Sequence, residues 1–165
     1  MKLKIAAAVA VLVLAVAGAF VFTQKPAAPD LTFSTLQGQS FRTADLRGKV
    51  VLVNFWATTC TSCIKEMPAL KATQEKFEAR GYQTVAVAMD YDPPAQVAAF
   101  VERSALPFTF VLDRDGSIAR GFEGVRLTPT SYILDKRGQI VQKILGEPDF
   151  DKLHGLLDQL LAEPA

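Results

Sequence analysis

The stretch VVLVNFWATTCTSCIKEMPAL, residues 50–70, decides the fold. It changes character twice. Lys49 to Trp56 is a run of β-branched, large apolar and aromatic residues broken by one amide, Asn54, and it reads as a central strand buried on both faces. After Cys63 the apolar period lengthens: Met67, Leu70 and Phe77 fall on one face of a helix, while Lys71, Glu75 and Glu78 face water. That helix is expected to run to Arg80 and to stop at Gly81. Between strand and helix lies Cys60-Thr61-Ser62-Cys63, and these two cysteines are the only ones in the chain.

The alternation continues downstream. Tyr82 to Met89 is a second buried strand; Pro93 and Pro94 open a helix through Ser104 with Val97, Phe100 and Val101 inward. Phe108 to Leu112 is a third strand, closed by the Asp113–Gly116 turn, and a short helix is expected over Ser117 to Phe122. Ser131 to Leu134 and Gln139 to Ile144 flank Asp135-Lys136-Arg137-Gly138, an antiparallel hairpin signal. A last helix, from Asp149 to Leu161, carries the stripe Phe150, Leu153, Leu156, Leu157, Leu160 and Leu161. Upstream, Leu31 to Leu36 and Ser40 to Phe41 form a small hairpin, followed by a turn of helix at Thr43 to Leu46. Strand–helix alternation ending in a hairpin and a helix indicates an α/β sandwich around a mixed sheet.

With 165 residues, 50% of them hydrophobic and 21% charged, the chain suits one packed domain plus a short appendage. Net charge is +1, and beyond Lys25 there are 15 lysines and arginines against 17 acids, which excludes the basic footprint of a nucleic-acid binder. The appendage is N-terminal. Lys2 and Lys4 precede Ile5 to Phe22, 18 uncharged residues. As a helix that run would span about 27 Å, close to the ~30 Å of hydrocarbon in a bilayer. The leading lysines favour a cytoplasmic N-terminus and an exported body. The run reads as an uncleaved anchor or, because Ala15-Val16-Ala17 and Ala17-Gly18-Ala19 fit the small-residue cleavage rule, as a signal peptide. Residues 1–25 are therefore assigned to the anchor or signal, 26–30, with Pro26 and Pro29, to a stiff linker, and 31–165 to the domain. Either reading places the domain in a bacterial periplasm, where disulfides persist.

Three chemistries suit two cysteines three apart. In a strand–loop–helix setting Cys60 sits at a helix start, where unpaired N–H groups and the dipole favour a thiolate. Cys60 is then the attacking sulfur, and Cys63, in the first turn, resolves the mixed disulfide. A tetrahedral zinc site wants four ligands, and here there are two cysteines and a single histidine, His154, far off on the last helix. Two-coordinate Cu(I) on the thiolate pair remains open as a non-enzymatic, metallochaperone alternative. A purely structural disulfide closing so short a loop would restrain little unfolded-chain entropy.

Taken with its surroundings, the cysteine segment resembles the active site of the thioredoxin superfamily, and more narrowly the TlpA/ResA-like membrane-anchored periplasmic thiol:disulfide oxidoreductases. The resemblance covers roughly residues 30–162 and includes DLRGKVVLVNFWA at 45–57, the extra helix and strand between Asp90 and Gly124, and GVRLTPTSYILDKRG at 124–138. It implies a thioredoxin-like fold, a mixed central sheet flanked by helices, with an N-terminal hairpin and a helix–strand insertion. It implies catalysis by Cys60 and Cys63, with Glu66 matching an internal acid that relays the proton of Cys63. The residue-level alternative is a first-turn glutamate held by the helix dipole. It also implies a cis Thr128–Pro129 bond that exposes the backbone of Thr128 to a client segment. Phe55 and Trp56 read as core and active-site wall rather than ligand-binding groups, with Trp56 the one counted at the client site beside Thr128 and Pro129.

Departures from the family matter too. Thioredoxin has a buried aspartate where this chain has Asn54, which leaves Glu66 as the candidate buried acid. Thr59 stands where many relatives have tryptophan. Thr61-Ser62 contains neither proline nor the histidine of strongly oxidising relatives, which points to a reductant or mild exchanger. LTPTSY lacks the acidic residue that follows the proline in dedicated cytochrome c maturation members. Ala57, three before Cys60, stands where a thiol peroxidase would need threonine. His154, Met67 and Met89 default to surface or core positions, and Pro68 to a kink in the long helix. The expectation is a monomeric enzyme without cofactor or bound metal that exchanges disulfides with client proteins, of apocytochrome or copper-site type. By analogy a membrane thiol donor recharges it.

Overall fold

Val50–Trp56, hereafter β3, is the middle strand of a five-stranded sheet ordered β5-β4-β3-β6-β7, and all seven of its residues are buried. The structure is a computed structural model that describes residues 25–164. The apolar run on which the anchor or signal reading rests lies outside the described residues, among which no helix is long and apolar enough to cross a membrane. Ahead of β3 come β1 (Thr32–Ser34), β2 (Ser40–Arg42) and a 3-10 turn at Thr43–Leu46. After it come α1 (Thr61–Phe77), β4 (Tyr82–Ala88), α2 (Pro94–Ser104), β5 (Thr109–Leu112), α3 (Ser117–Gly121), β6 (Thr130–Leu134), β7 (Ile140–Leu145) and α4 (Phe150–Ala162). A 3-10 turn at Glu78–Arg80 extends α1, and Gly81, at φ 95°, ends it in a left-handed conformation that a side chain would resist.

β3 pairs in parallel with β4, from Val50 with Tyr82 to Trp56 with Ala88. It pairs antiparallel with β6, from Val51 with Leu134 to Phe55 with Thr130. The steps β3–α1–β4 and β4–α2–β5 move the same way across the sheet, so right-handed crossovers put α1 and α2 on one face. The buried clusters agree. Val50 and Leu52 pack with Leu70 and Phe77 of α1 and Leu153, Leu157 and Leu160 of α4. Val51, Val53 and Phe55 point to the opposite face, with Phe33, Leu46, Ile118, Phe122 and Tyr132. Each large apolar side chain removed from water in these clusters contributes roughly 2–3 kcal/mol.

Two expectations need adjustment. β1 is shorter than the expected Leu31 to Leu36, and the β1–β2 hairpin lies off the main sheet, touching the outer edge of β5 through a Thr35–Val111 bridge. The stretch read as a linker is docked on the domain. Pro26 O accepts from Ile140 N at 2.8 Å, and Ala28 N donates to Gly138 O at 2.9 Å. Lys25 Nζ adds an ion pair at 3.9 Å to Asp135.

Candidate active site

The carboxyl end of β3 turns into α1 through Ala57–Cys60, closed by Cys60 N donating to Ala57 O at 3.1 Å. Cys60 is the N-cap of α1, with extended φ and ψ of −88° and 100°, and its sulfur accepts from Cys63 N at 3.2 Å. One of the free N–H groups of the helix start, that of Cys63, thus points at this sulfur. Cys60 and Cys63 are joined as a disulfide with Cα atoms 5.2 Å apart. The two sulfurs are not equivalent: Cys60 is partly exposed, whereas Cys63 is wholly buried beside Trp56 and Met67. A thiol of a partner protein can reach only the first. Ser62 Oγ lies 3.5 Å from Cys60 Sγ, a polar neighbour that the reading of the intervening pair as merely lacking proline and histidine overlooked.

One turn beyond Cys63, Glu66 is completely buried. Its Oε1 accepts from Asn54 Nδ2 at 2.9 Å, and the same amide group donates to Ser131 Oγ at 3.0 Å. Residues 54 and 131 are direct partners across β3 and β6, which is why these groups meet. Burial pushes the Glu66 carboxyl up to about 7; the Asn54 hydrogen bond opposes this and the charge of Glu147 adds to it. Glu147 lies in the β7–α4 turn and pairs with Lys65 of α1 at 3.3 Å. A carboxyl that titrates near neutrality, three residues from a buried thiol, can carry a proton to or from it.

The Thr128–Pro129 bond is cis. Because Thr130 pairs with Phe55, the residues before β6 come level with those after β3, which sets this bond beside the Cys60 turn. Pro129 is buried, its carbonyl accepts from Gly146 N at 2.8 Å, and Thr128 is partly exposed. The large apolar side chains most exposed among the described residues gather here: Tyr91, Leu127 and Leu145, the last opposite Thr130. Tyr91 Oη lies 3.4 Å from Thr128 Oγ1.

Of the core and wall roles expected of Trp56, its place in the fold is the core one. It has no exposed surface, and its ring packs on Phe100 and Phe110, with centroids 5.1 and 5.8 Å away. A strand buried on both faces keeps its last residue inside, so Trp56 packs in the cluster that also holds Cys63 and Met67. Met67 and Met89 are buried, and His154 lies away from the disulfide, accepting or donating at 2.9 Å with Thr73 and stacked edge-on with Phe77. Among the described residues no cluster of three or more metal-binding side chains occurs.

Sequence reasoning also missed Asp92. It is 4% exposed, and its two oxygens accept from Thr58 N and Thr58 Oγ1, each at 2.6 Å. Standing between an exposed tyrosine and two prolines, it reads in the sequence only as a helix-entry residue.

The Redoxin family model matches residues 23–160. The chain is 35% identical over 133 residues to the thiol-disulfide oxidoreductase ResA of Bacillus anthracis, covering 81% of this chain and 76% of that one. It is 36% identical over 131 residues to the ResA of Geobacillus thermodenitrificans, covering 76% and 74%. Among solved structures, a secreted Mycobacterium tuberculosis disulfide oxidoreductase homologous to DsbE superposes with a TM-score of 0.69 at 26% identity over 79% of this chain and 96% of that one. DsbF of the same species, solved in mixed oxidised and reduced forms, gives 0.73 at 28% identity over 83% and 99%.

Proposed function

The chain belongs to the Redoxin family and, within the thioredoxin superfamily, to the ResA-like thiol-disulfide oxidoreductases, and on that premise we propose that it works as a reductant of exported client proteins while tethered to the inner membrane. The observation that carries the chemistry is the asymmetry of the pair, Cys60 reachable at the N-cap of α1 and Cys63 wholly buried one turn ahead of the buried Glu66.

In the reducing direction the dithiol form begins the cycle. The Cys60 thiolate attacks one sulfur of the client disulfide, an S–S bond forms between Cys60 and the client, and one client thiolate leaves and takes a proton from solvent. Cys63 then gives its proton to the Glu66 carboxylate and attacks Cys60 Sγ. The mixed disulfide breaks, the second client thiolate leaves with a proton, and the Cys60–Cys63 bond is formed. Two electrons pass from the pair to the client. A thiol donor in the membrane restores the dithiol, and Thr61-Ser62, without histidine, supports the reducing direction. Apocytochrome and copper-site proteins are the client types proposed; the tether rests on Ile5 to Phe22.

A Cys63→Ala chain expressed with its own N-terminus tests the reading, because it stalls at the mixed disulfide. Disulfide-linked captures through Cys60 of exported, cysteine-bearing proteins, released by dithiothreitol, are expected. Captures confined to cytoplasmic proteins, or none at all while the wild-type chain also fails to reduce insulin, would refute it.

A further inference from the structure

The connector between β4 and α2 touches both halves of the site. β4 runs parallel to β3, so its chain leaves the sheet at the same end as the disulfide. Met89 N donates to Trp56 O at 3.1 Å, and Asp92 N closes a tight turn on Met89 O at 3.0 Å. From that turn Asp92 reaches Thr58, two residues before Cys60, with both carboxylate oxygens. Tyr91 points the other way: the residue is 56% exposed and its hydroxyl lies 3.4 Å from Thr128 Oγ1, on the cis-proline side. Helix capping does not account for Asp92. The N-cap of α2 is Pro93, with no side-chain cap bond, and both oxygens are spent on Thr58 instead. A buried carboxylate without good donors would be costly, so a pair of short charge-assisted bonds marks a contact the fold depends on.

We propose that Tyr91 and Asp92 form a bracket that sets the cleft between Cys60 and Thr128: Asp92 positions the turn carrying the nucleophile, and Tyr91 is a wall that receives an apolar side chain flanking the client cysteine. The occupant is a protein segment, since Leu127, 62% exposed and next to Thr128, provides a second apolar surface continuous with the place where the mixed disulfide must form. A small polar disulfide would leave both surfaces unused. This inference rests on the exchange reading and goes beyond it by naming what the site selects.

Two cystine peptides, one with leucine on either side of each cysteine and one with serine there, separate the possibilities when reduced by the full chain with dithiothreitol as electron source. Wild type should prefer the leucine peptide. Tyr91→Ala should lower that preference by about tenfold, the scale of one aromatic contact. Asp92→Ala should slow both peptides by about tenfold and displace the pH profile of Cys60 alkylation, and Asp92→Asn should recover most of that loss because the amide oxygen still accepts from Thr58 N. Equal effects of Tyr91→Ala on both peptides overturn the wall. A fall in melting temperature for Asp92→Ala with an unmoved alkylation profile reduces Asp92 to a stability role and overturns the bracket. A wild-type chain that reduces neither peptide removes the exchange reading itself, an outcome distinct from the other two.

Discussion

Two buried carboxylates serve the disulfide segment, one on its helix and one bonded to its turn, and the fold treats them in opposite ways. Glu66, one turn after Cys63, has a single neutral amide donor, and burial pushes its carboxyl up to about 7. Asp92, beside the Cys60 turn, has a backbone N–H and a hydroxyl within 2.6 Å, one for each oxygen. The difference separates two jobs. A proton carrier needs its charged and neutral forms nearly equal in free energy, which poor solvation of the carboxylate achieves. A positioning group needs its geometry held fast, which a hydrogen bond to each oxygen achieves. The element that must exchange protons is starved of donors, and the element that must stay still is supplied with them.

The harshest way to break this arrangement is Asn54→Asp. It would place a second carboxyl where an amide now donates to Glu66 at 2.9 Å. Two carboxyls at that range share one proton, and ionising both leaves an unpaired charge in the core. The variant should lose roughly 3–5 kcal/mol relative to wild type at pH 8 and much less at pH 5. Urea unfolding at the two pH values measures it, and an equal loss at both would mean that Glu66 is not the group responsible.

Glu66→Gln sharpens the same half of the comparison. The carboxyl is raised from 4.5 to about 7 in the folded chain, so between those values the folded state holds a proton that the unfolded state releases. Stability is therefore full below about 4.5 and falls as pH rises through about 7, by roughly 3 kcal/mol in all. Glutamine should flatten that slope. It should also slow release of client thiol from the mixed disulfide by about a hundredfold at pH 7, the usual loss for a general base, as seen in single-turnover quenching. A flat slope in wild type would sink the relay.

Much of this geometry was legible before any coordinates, and the exceptions have physical reasons. An unbroken apolar run announces β3 because a central strand has no wet face, and the 3.6-residue period after Cys63 announces α1. Asn54 and Glu66 each stood out, yet their bond joins a strand to a helix and appears only once α1 is packed on the sheet. The cis Thr128–Pro129 bond came from resemblance alone; nothing local in Leu-Thr-Pro-Thr requires it. Asp92 and Thr58 are 34 residues apart, and no period or motif connects them. The proline and alanine content of residues 26–29 suggested a tether, but what docks them is backbone hydrogen bonding to Gly138 and Ile140, to which composition is blind. Phe55 and Trp56 read as core and wall, and the burial of their strand places both rings wholly inside.

The smallest expected effect lies on the wet side of the disulfide. Ser62 Oγ is 3.5 Å from Cys60 Sγ, near the limit for a hydrogen bond to sulfur, and the residue is exposed. In the dithiol form its hydroxyl can donate to the Cys60 thiolate, but water competes for the same sulfur, so the net gain is a few tenths of a kcal/mol. Ser62→Ala should accordingly slow iodoacetamide alkylation of Cys60 at pH 7 by only about twofold and leave the stability-versus-pH slope set by Glu66 where it was. A tenfold loss would put Ser62 among the groups that hold the nucleophile, beside Asp92. The line between labile and pinned groups would then run between the two cysteines themselves.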